Sequence, residues 1–186
     1  MKLNFVTSNT NKVREFKQIL GDNFQVEQVH VPYHEMRNDS PEEIARLAAK
    51  QLAEKLQKPV VVEDSGLFIT ALKDFPGTCS AYIHKRIGLK GILKLMEGIE
   101  DRSAIYKSSV AYCEPGVRPT SFLGAENGKI AEEVKGDYGF GHDPIFVPKD
   151  SEITYGEMEN AEEVKKFRRR AVEQLRRYLI NKGNKK

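Results

Sequence analysis

Three short stretches of this 186-residue chain gather side chains that can act on a charged substrate. The first is Thr7-Ser8-Asn9-Thr10-Asn11-Lys12, a cluster of hydroxyls, amides and one ammonium between a strand-like and a helix-like segment. Free backbone N–H groups and the helix dipole favour an anion at such a point, so Thr7, Ser8, Asn9 and Lys12 are candidate phosphate contacts. No G-x-x-x-x-G-K pattern is present, which excludes a Walker loop. An ordinary helix N-cap uses the same residue types.

The second stretch is Glu63-Asp64-Ser65-Gly66, which follows three consecutive valines. Ionised carboxylates at the end of a buried strand are costly to desolvate and need a partner. Mg²⁺ suits them, because it takes oxygen ligands from one or two carboxylates, water and substrate phosphate. Neighbouring strand residues face opposite ways, so only one acid need enter a site; Ser65-Gly66 places Asp64 where the strand is expected to break. A helix N-cap at Asp64 or Ser65 is the plainer alternative.

The third is Gly139-Phe140-Gly141-His142-Asp143-Pro144-Ile145-Phe146. Aromatic faces stack on nucleobases, and a carboxylate accepts from a base edge or a ribose hydroxyl. A loop whose rings tuck into the core has the same composition. His142 reads as a packing or stacking ring, while His30, His34 and His84 lack ligand-like spacing.

The elements that must carry these stretches follow from periodicity. Lys2 to Thr7 reads as a buried strand, and Val13, Phe16, Ile19 and Leu20 describe a helix closed by Gly21. A second strand spans Phe24 to Val31. Ser40-Pro41-Glu42-Glu43 is a helix start with a capping box, and Ile44, Leu47, Ala48, Leu52 and Leu56 form its buried stripe. Pro59 to Val62 is a central strand; a short helix from about Leu67 to Leu72 and a helical stretch around Ile92 to Met96 come next. Ser103–Cys113 and Thr120–Ile130 read as two strands joined by a hairpin-type connection. From Asn160, the set Val164, Phe167, Ala171, Leu175, Tyr178 and Leu179 predicts one amphipathic helix over 160–181, with a frayed tail over 182–186. Strands interleaved with helices predict an α/β fold with a mixed sheet, in which ligands collect at the carboxyl ends of strands.

Composition sets the outer limits. Hydrophobic residues at 39% and charged residues at 31% describe a globular chain, and no apolar run reaches a membrane span of about eighteen residues. The N-terminus reads as a strand rather than a signal peptide, and the expected location is the cytoplasm. Cys79 and Cys113 form neither a zinc motif nor a disulfide framework. The net charge of +3 hides an asymmetry, with ten Lys/Arg and three Glu between residues 160 and 186. A solvated helix face accounts for that run as readily as an anionic partner.

In order and spacing the three stretches resemble the inosine triphosphate pyrophosphatase family, the non-standard purine nucleoside triphosphate pyrophosphatases. The opening Thr7-Ser8-Asn9-Thr10-Asn11-Lys12-Val13-Arg14-Glu15, the Glu63-Asp64-Ser65-Gly66-Leu67 segment, Phe75-Pro76-Gly77 with Ser80-Ala81, and Phe140 to Phe146 carry the similarity. It runs from Phe5 to about Leu179. The resemblance implies one domain over residues 1–186, an elongated mixed β-sheet flanked by helices, with two lobes around a nucleotide-binding cleft.

It further implies hydrolysis of ITP, dITP or XTP to the monophosphate and pyrophosphate with Mg²⁺ as cofactor, in a homodimer with neither a membrane nor a nucleic acid as the expected partner. Asn9 and Lys12, helped by Lys165, Lys166 or Arg168, would hold the phosphates; Asp64 would activate water and bind metal with Asp39; Ser65 would line the cleft. Phe140, His142, Asp143 and Arg168 would meet the base. At the last helix the family's Ser-His-Arg is replaced by Lys166-Phe167-Arg168 or, in a register shifted by one, by Phe167-Arg168-Arg169; in both the His is absent, and Phe167 fits the apolar stripe. A pyrophosphatase of broader or different base specificity, or a nucleotide- or RNA-binding protein without catalysis, are the alternatives.

Overall fold

The computed structural model describes residues 1–33 and 36–184, so His34 and the last two lysines of the expected tail lie outside the described residues. Strand β1 (Lys2–Val6) buries Leu3 and Phe5 and leads to helix α1 (Thr10–Leu20), with Val13, Phe16 and Leu20 inward as their spacing requires. Gly21, at φ +69°, closes α1, and β2 (Gln25–Val29) follows. Helix α2 (Pro41–Leu56) starts where expected, with Ser40 Oγ accepting from Glu43 N at 3.3 Å and Pro41 in the first turn. Strand β3 (Val60–Ile69) pairs parallel with β1, as β1 does with β2. Parallel neighbours need crossover connections, and α1 and α2 provide them.

The remainder comprises β4 (Pro76–Gly77), α3 (Ser80–Leu95), β5 (Ser103–Cys113), β6 (Thr120–Ile130), β7 (Phe146–Pro148), α4 (Ala161–Val164) and α5 (Lys166–Gly183). The seven strands form one mixed sheet in the order β2-β1-β3-β5-β6-β7, with β4 on β3. Helix α3 is interrupted at Gly88, whose φ of +65° is not helical.

Several expectations are corrected. Strand β3 does not break at Asp64 but runs on to Ile69, and the helix expected over Leu67–Leu72 is a 3₁₀ turn at Thr70–Leu72. Leu67, Phe68 and Ile69 are all buried, and Gly66 lets β4 approach: a β-carbon there would fall 2.0 Å from the Gly77 carbonyl oxygen. The closing helix is also not continuous. Lys165, at ψ 120°, separates α4 from α5, and α5 extends through Gly183, into the segment expected to fray.

The chain divides into two compact units. Unit 1 comprises Met1–Asp64, Ser108–Gly124 and Arg168–Lys186; unit 2 comprises Ser65–Lys107 and Ala125–Phe167. The core of unit 1 joins Phe5, Phe16 and Val61 to Ala171, Val172 and Leu175, with a second cluster of Val60 and Val62 against α2. That of unit 2 gathers Leu67, Ile92, Tyr106, Phe146, Tyr155 and Phe167. Among the described residues no helix is long and apolar enough to cross a membrane.

Candidate active site

In unit 1, the carboxyl end of β1 turns into α1 through Thr7-Ser8-Asn9. Asn9 is the N-cap: its Oδ1 accepts from Asn11 N at 2.9 Å and Lys12 N at 3.3 Å, while Asn9 N donates to Thr7 Oγ1 at 3.1 Å. Thr7 and Asn9 are half-buried and Ser8 is exposed. The cap reading thus holds, and the first turn of α1 carries no acid to cancel the helix dipole.

Lys12 extends to β3. Its Nζ lies 2.5 Å from Glu63 Oε2 and 3.3 Å from the Glu63 carbonyl oxygen, part of the peptide that joins Glu63 to Asp64. The alternation expected for a strand holds here: Glu63 points inward with a fully buried side chain, and Asp64 is half-buried. Glu63 Oε1 accepts from Ser108 Oγ at 2.6 Å and from Arg168 Nε at 3.1 Å, and Arg168 Nη1 also bonds the Glu15 carboxylate. Burial by itself would raise the Glu63 carboxyl, but Arg168, Lys12 and the Ser108 hydroxyl outweigh it and hold the group down to about 2. Two cations and two carboxylates leave the network neutral.

In unit 2, the loop before β7 folds around Asp143. Its Oδ2 accepts from Phe140 N at 2.7 Å and from Lys165 Nζ at 2.6 Å, and Tyr106 OH lies 3.5 Å from Oδ1. Gly139, at φ +76°, has no room for a side chain, because a β-carbon would meet Asp143 Oδ2 at 2.2 Å. The Lys165 ammonium lies 4.4 Å from the centroid of the Phe140 ring. His142 is 3% exposed and meets His84 edge-on at a centroid separation of 5.0 Å. Burial, with the His84 ring adding to it, lowers its pKa to about 4, so His142 is neutral at neutral pH.

The other expected site residues have the following places and partners. Arg168, expected against the base, is 2% exposed and lies between Glu15 and Glu63 in unit 1, because a buried guanidinium needs carboxylate partners. Lys165, expected on phosphate, pairs with Asp143 because the break before α5 turns it inward. Lys166 reaches Asp150 at 2.7 Å on the surface, and its backbone N–H is held by Glu126 Oε2 at 2.8 Å. Phe167 is core as its spacing implies, stacked on Tyr106 at 4.6 Å. Ser65 is half-buried in β3, and Asp39 is exposed in the bend before α2. Cys79 is exposed and Cys113 buried, both as free thiols.

Glu15, Glu63, Ser108 and Tyr106 were missed as participants. A signal for part of this exists in the sequence. Arg168 lies at helical spacing from the buried Val172, Leu175 and Leu179, which marks a buried cation, and Glu63 continues the valine run of a buried strand. Two buried charges of opposite sign imply each other.

Comparison with known proteins gives the chain its family. A dITP/XTP pyrophosphatase of Methanopyrus kandleri is 49% identical over 97% of this chain and 97% of its own length. One of Methanosarcina mazei is 44% identical over 96% of this chain and 97% of its own. The structure of the Staphylococcus aureus Ham1 protein superposes with a TM-score of 0.85 at 25% identity, covering 98% of this chain and all of that one. The Ham1 family model matches residues 3–178, from β1 into α5, and the chain belongs to that family.

Proposed function

We propose that this protein hydrolyses non-standard purine nucleoside triphosphates such as dITP, ITP and XTP to the monophosphate and pyrophosphate. The relatives' shared name supports the substrate class. The observation that carries the chemistry is the contact of Lys12 Nζ with the Glu63 carbonyl oxygen, at 3.3 Å. It supports the reading because the Lys12 ammonium lies beside the peptide that joins Glu63 to the half-buried Asp64.

In the reaction a water attacks the α-phosphorus and the bond to the bridging oxygen of the β-phosphate breaks. Asp64 orients the water and takes its proton. Asn9, Thr7 and Ser8 hold the phosphate chain at the positive end of the α1 dipole, and Lys12 balances the charge that builds on departing pyrophosphate. Mg²⁺ suits the donor set of Asp64 and Asp39, since it uses one or two carboxylates and fills its remaining positions with water and phosphate; bound there, it would neutralise phosphate charge. Among the described residues no group of three or more His, Cys, Asp or Glu forms a metal cage, which that binding mode does not need.

Base choice rests on Asp143 and Lys165, with Phe140 as the stacking face. A carboxylate beside an ammonium matches N1–H and the 6-oxo group of hypoxanthine, xanthine and guanine. Adenine inverts both groups and leaves an unpaired donor facing an unpaired donor. The reading extends to a homodimer in the cytoplasm, and light scattering of the purified chain checks the dimer.

The test is a panel of ITP, dITP, XTP, GTP and ATP assayed with Mg²⁺ for pyrophosphate and monophosphate. Turnover of the 6-oxo purines, abolished in Asp64→Asn, is expected. Release of orthophosphate and diphosphate, or no turnover with any nucleotide, overturns the reading.

A further inference from the structure

The hydroxyl of Tyr106 has no part in the reaction as described, and packing does not call for it. Tyr106, on β5, is 7% exposed and its ring is held by two others: Phe167 stacks on it at 4.6 Å with planes 12° apart, and Phe146 lies tilted against it at 4.5 Å. A phenylalanine ring would make the same contacts. A buried hydroxyl is costly unless it is hydrogen-bonded, and this one donates to Asp143 Oδ1 at 3.5 Å. The 3₁₀ turn Asp143–Ile145 arranges the meeting. Its closing bond runs from the Phe146 N–H to the Asp143 carbonyl, so the ring that packs on Tyr106 and the carboxylate that accepts from it leave one turn of backbone. Phe167 lies two residues beyond Lys165. Tyr106 thus touches both segments that carry the base-reading charges, and all of these residues belong to unit 2.

The terminal torsion of an Asp side chain is broad, so a carboxylate keeps one orientation only when both of its oxygens are held. Phe140 N and Lys165 Nζ hold Oδ2, and the Tyr106 hydroxyl steers Oδ1. Its 3.5 Å is longer than the roughly 2.5–2.7 Å of a full-strength hydroxyl–carboxylate bond. A carboxylate oxygen accepts two hydrogen bonds, so a second donor can join the hydroxyl there.

We propose that Tyr106 is a positioning residue for base selection, its hydroxyl setting Asp143 Oδ1 to accept from N1–H of a 6-oxo purine. The proposal rests on the reading that Asp143 takes that proton donor. Without the hydroxyl the carboxylate is free to turn about its terminal torsion, and the contact that favours 6-oxo purines weakens. A base with no N1–H has nothing to lose.

Purine riboside triphosphate, which has neither the 6-oxo group nor N1–H, separates the possibilities. Its kcat and KM are measured beside those of ITP on wild type, Tyr106→Phe and Phe167→Leu, together with the melting temperature of each protein. Wild type is expected to prefer ITP. Tyr106→Phe should lower kcat/KM for ITP about fivefold or more, through KM, and leave purine riboside triphosphate unchanged. Phe167→Leu, which keeps the hydroxyl but loosens the ring that bears it, should shift the ratio the same way by less. If Tyr106→Phe does not fold, Phe167→Leu carries the test, and an unchanged ratio there counts against the proposal.

An equal loss for both nucleotides in Tyr106→Phe would make the hydroxyl a structural group and overturn the proposal. So would a changed melting temperature with the preference for ITP intact. A wild type that turns over purine riboside triphosphate as well as ITP would instead refute the underlying reading of Asp143, and the proposal would fall with it. A wild-type preference for ITP that survives Tyr106→Phe refutes the proposal alone.

Discussion

Lys165 and Asp143 form a buried ion pair, Nζ to Oδ2 at 2.6 Å with both side chains 2% exposed. Breaking such a pair from one side strands a charge. Lys165→Met is therefore expected to destabilise the protein by about 3–5 kcal/mol, read by urea denaturation, whereas Lys165→Met with Asp143→Leu should recover much of that loss. The double variant should still have lost its preference for ITP over ATP. A single variant as stable as wild type would contradict the pairing.

Asn9 serves as N-cap through Oδ1 alone, and Asp caps a helix as well as Asn does. Asn9→Asp should leave stability within about 0.5 kcal/mol while placing a negative charge in the proposed triphosphate site. Denaturation midpoint and KM for ITP, measured on the same preparation, check this: the midpoint holds and KM rises. An unchanged KM would remove Asn9 from the phosphate site.

His142 titrates near 4 in the folded protein, below the ordinary 6.5, because it is buried against His84. Between those values the unfolded chain binds a proton that the folded chain does not. Stability is thus expected to fall as pH drops from about 6.5 toward 4, by at most about 1.4 kcal/mol per pH unit from this group, and to be indifferent to it at higher pH. His142→Phe should flatten that part of the profile of unfolding free energy against pH. An identical slope in both proteins would show that His142 is not the group responsible.

Gly66 is required by the approach of β4. A β-carbon there would meet the Gly77 carbonyl oxygen at 2.0 Å and Ser80 Oγ at 3.2 Å, where Ser80 already bonds Leu67 N at 2.8 Å and Gly77 O at 2.6 Å. Gly66→Ala should cost about 1–3 kcal/mol or more in thermal or chemical denaturation. A neutral effect would mean β3 and β4 are not held this closely.

Local pattern was enough for the elements whose causes are local. The strands Ser103–Cys113 and Thr120–Ile130 and the start of α2 at Pro41 stand where alternation and capping residues put them, and the Asn9 cap lies between β1 and α1 as its residue types require. Segments with mixed signals were misjudged: Gly66 looked like a strand end because the backbone it accommodates, at Gly77, is outside any local window.

By itself, then, the sequence determined the α/β class, the cap between β1 and α1 and the family, because periodicity, capping and motif order are carried by neighbours along the chain. Only the tertiary structure decided which charges meet. Arg168 joins Glu63 across 105 residues and Glu15 across 153, and Lys165 turns to Asp143 only because the helix breaks beside it. A buried charge announces that it needs a partner; which partner it takes is set by packing.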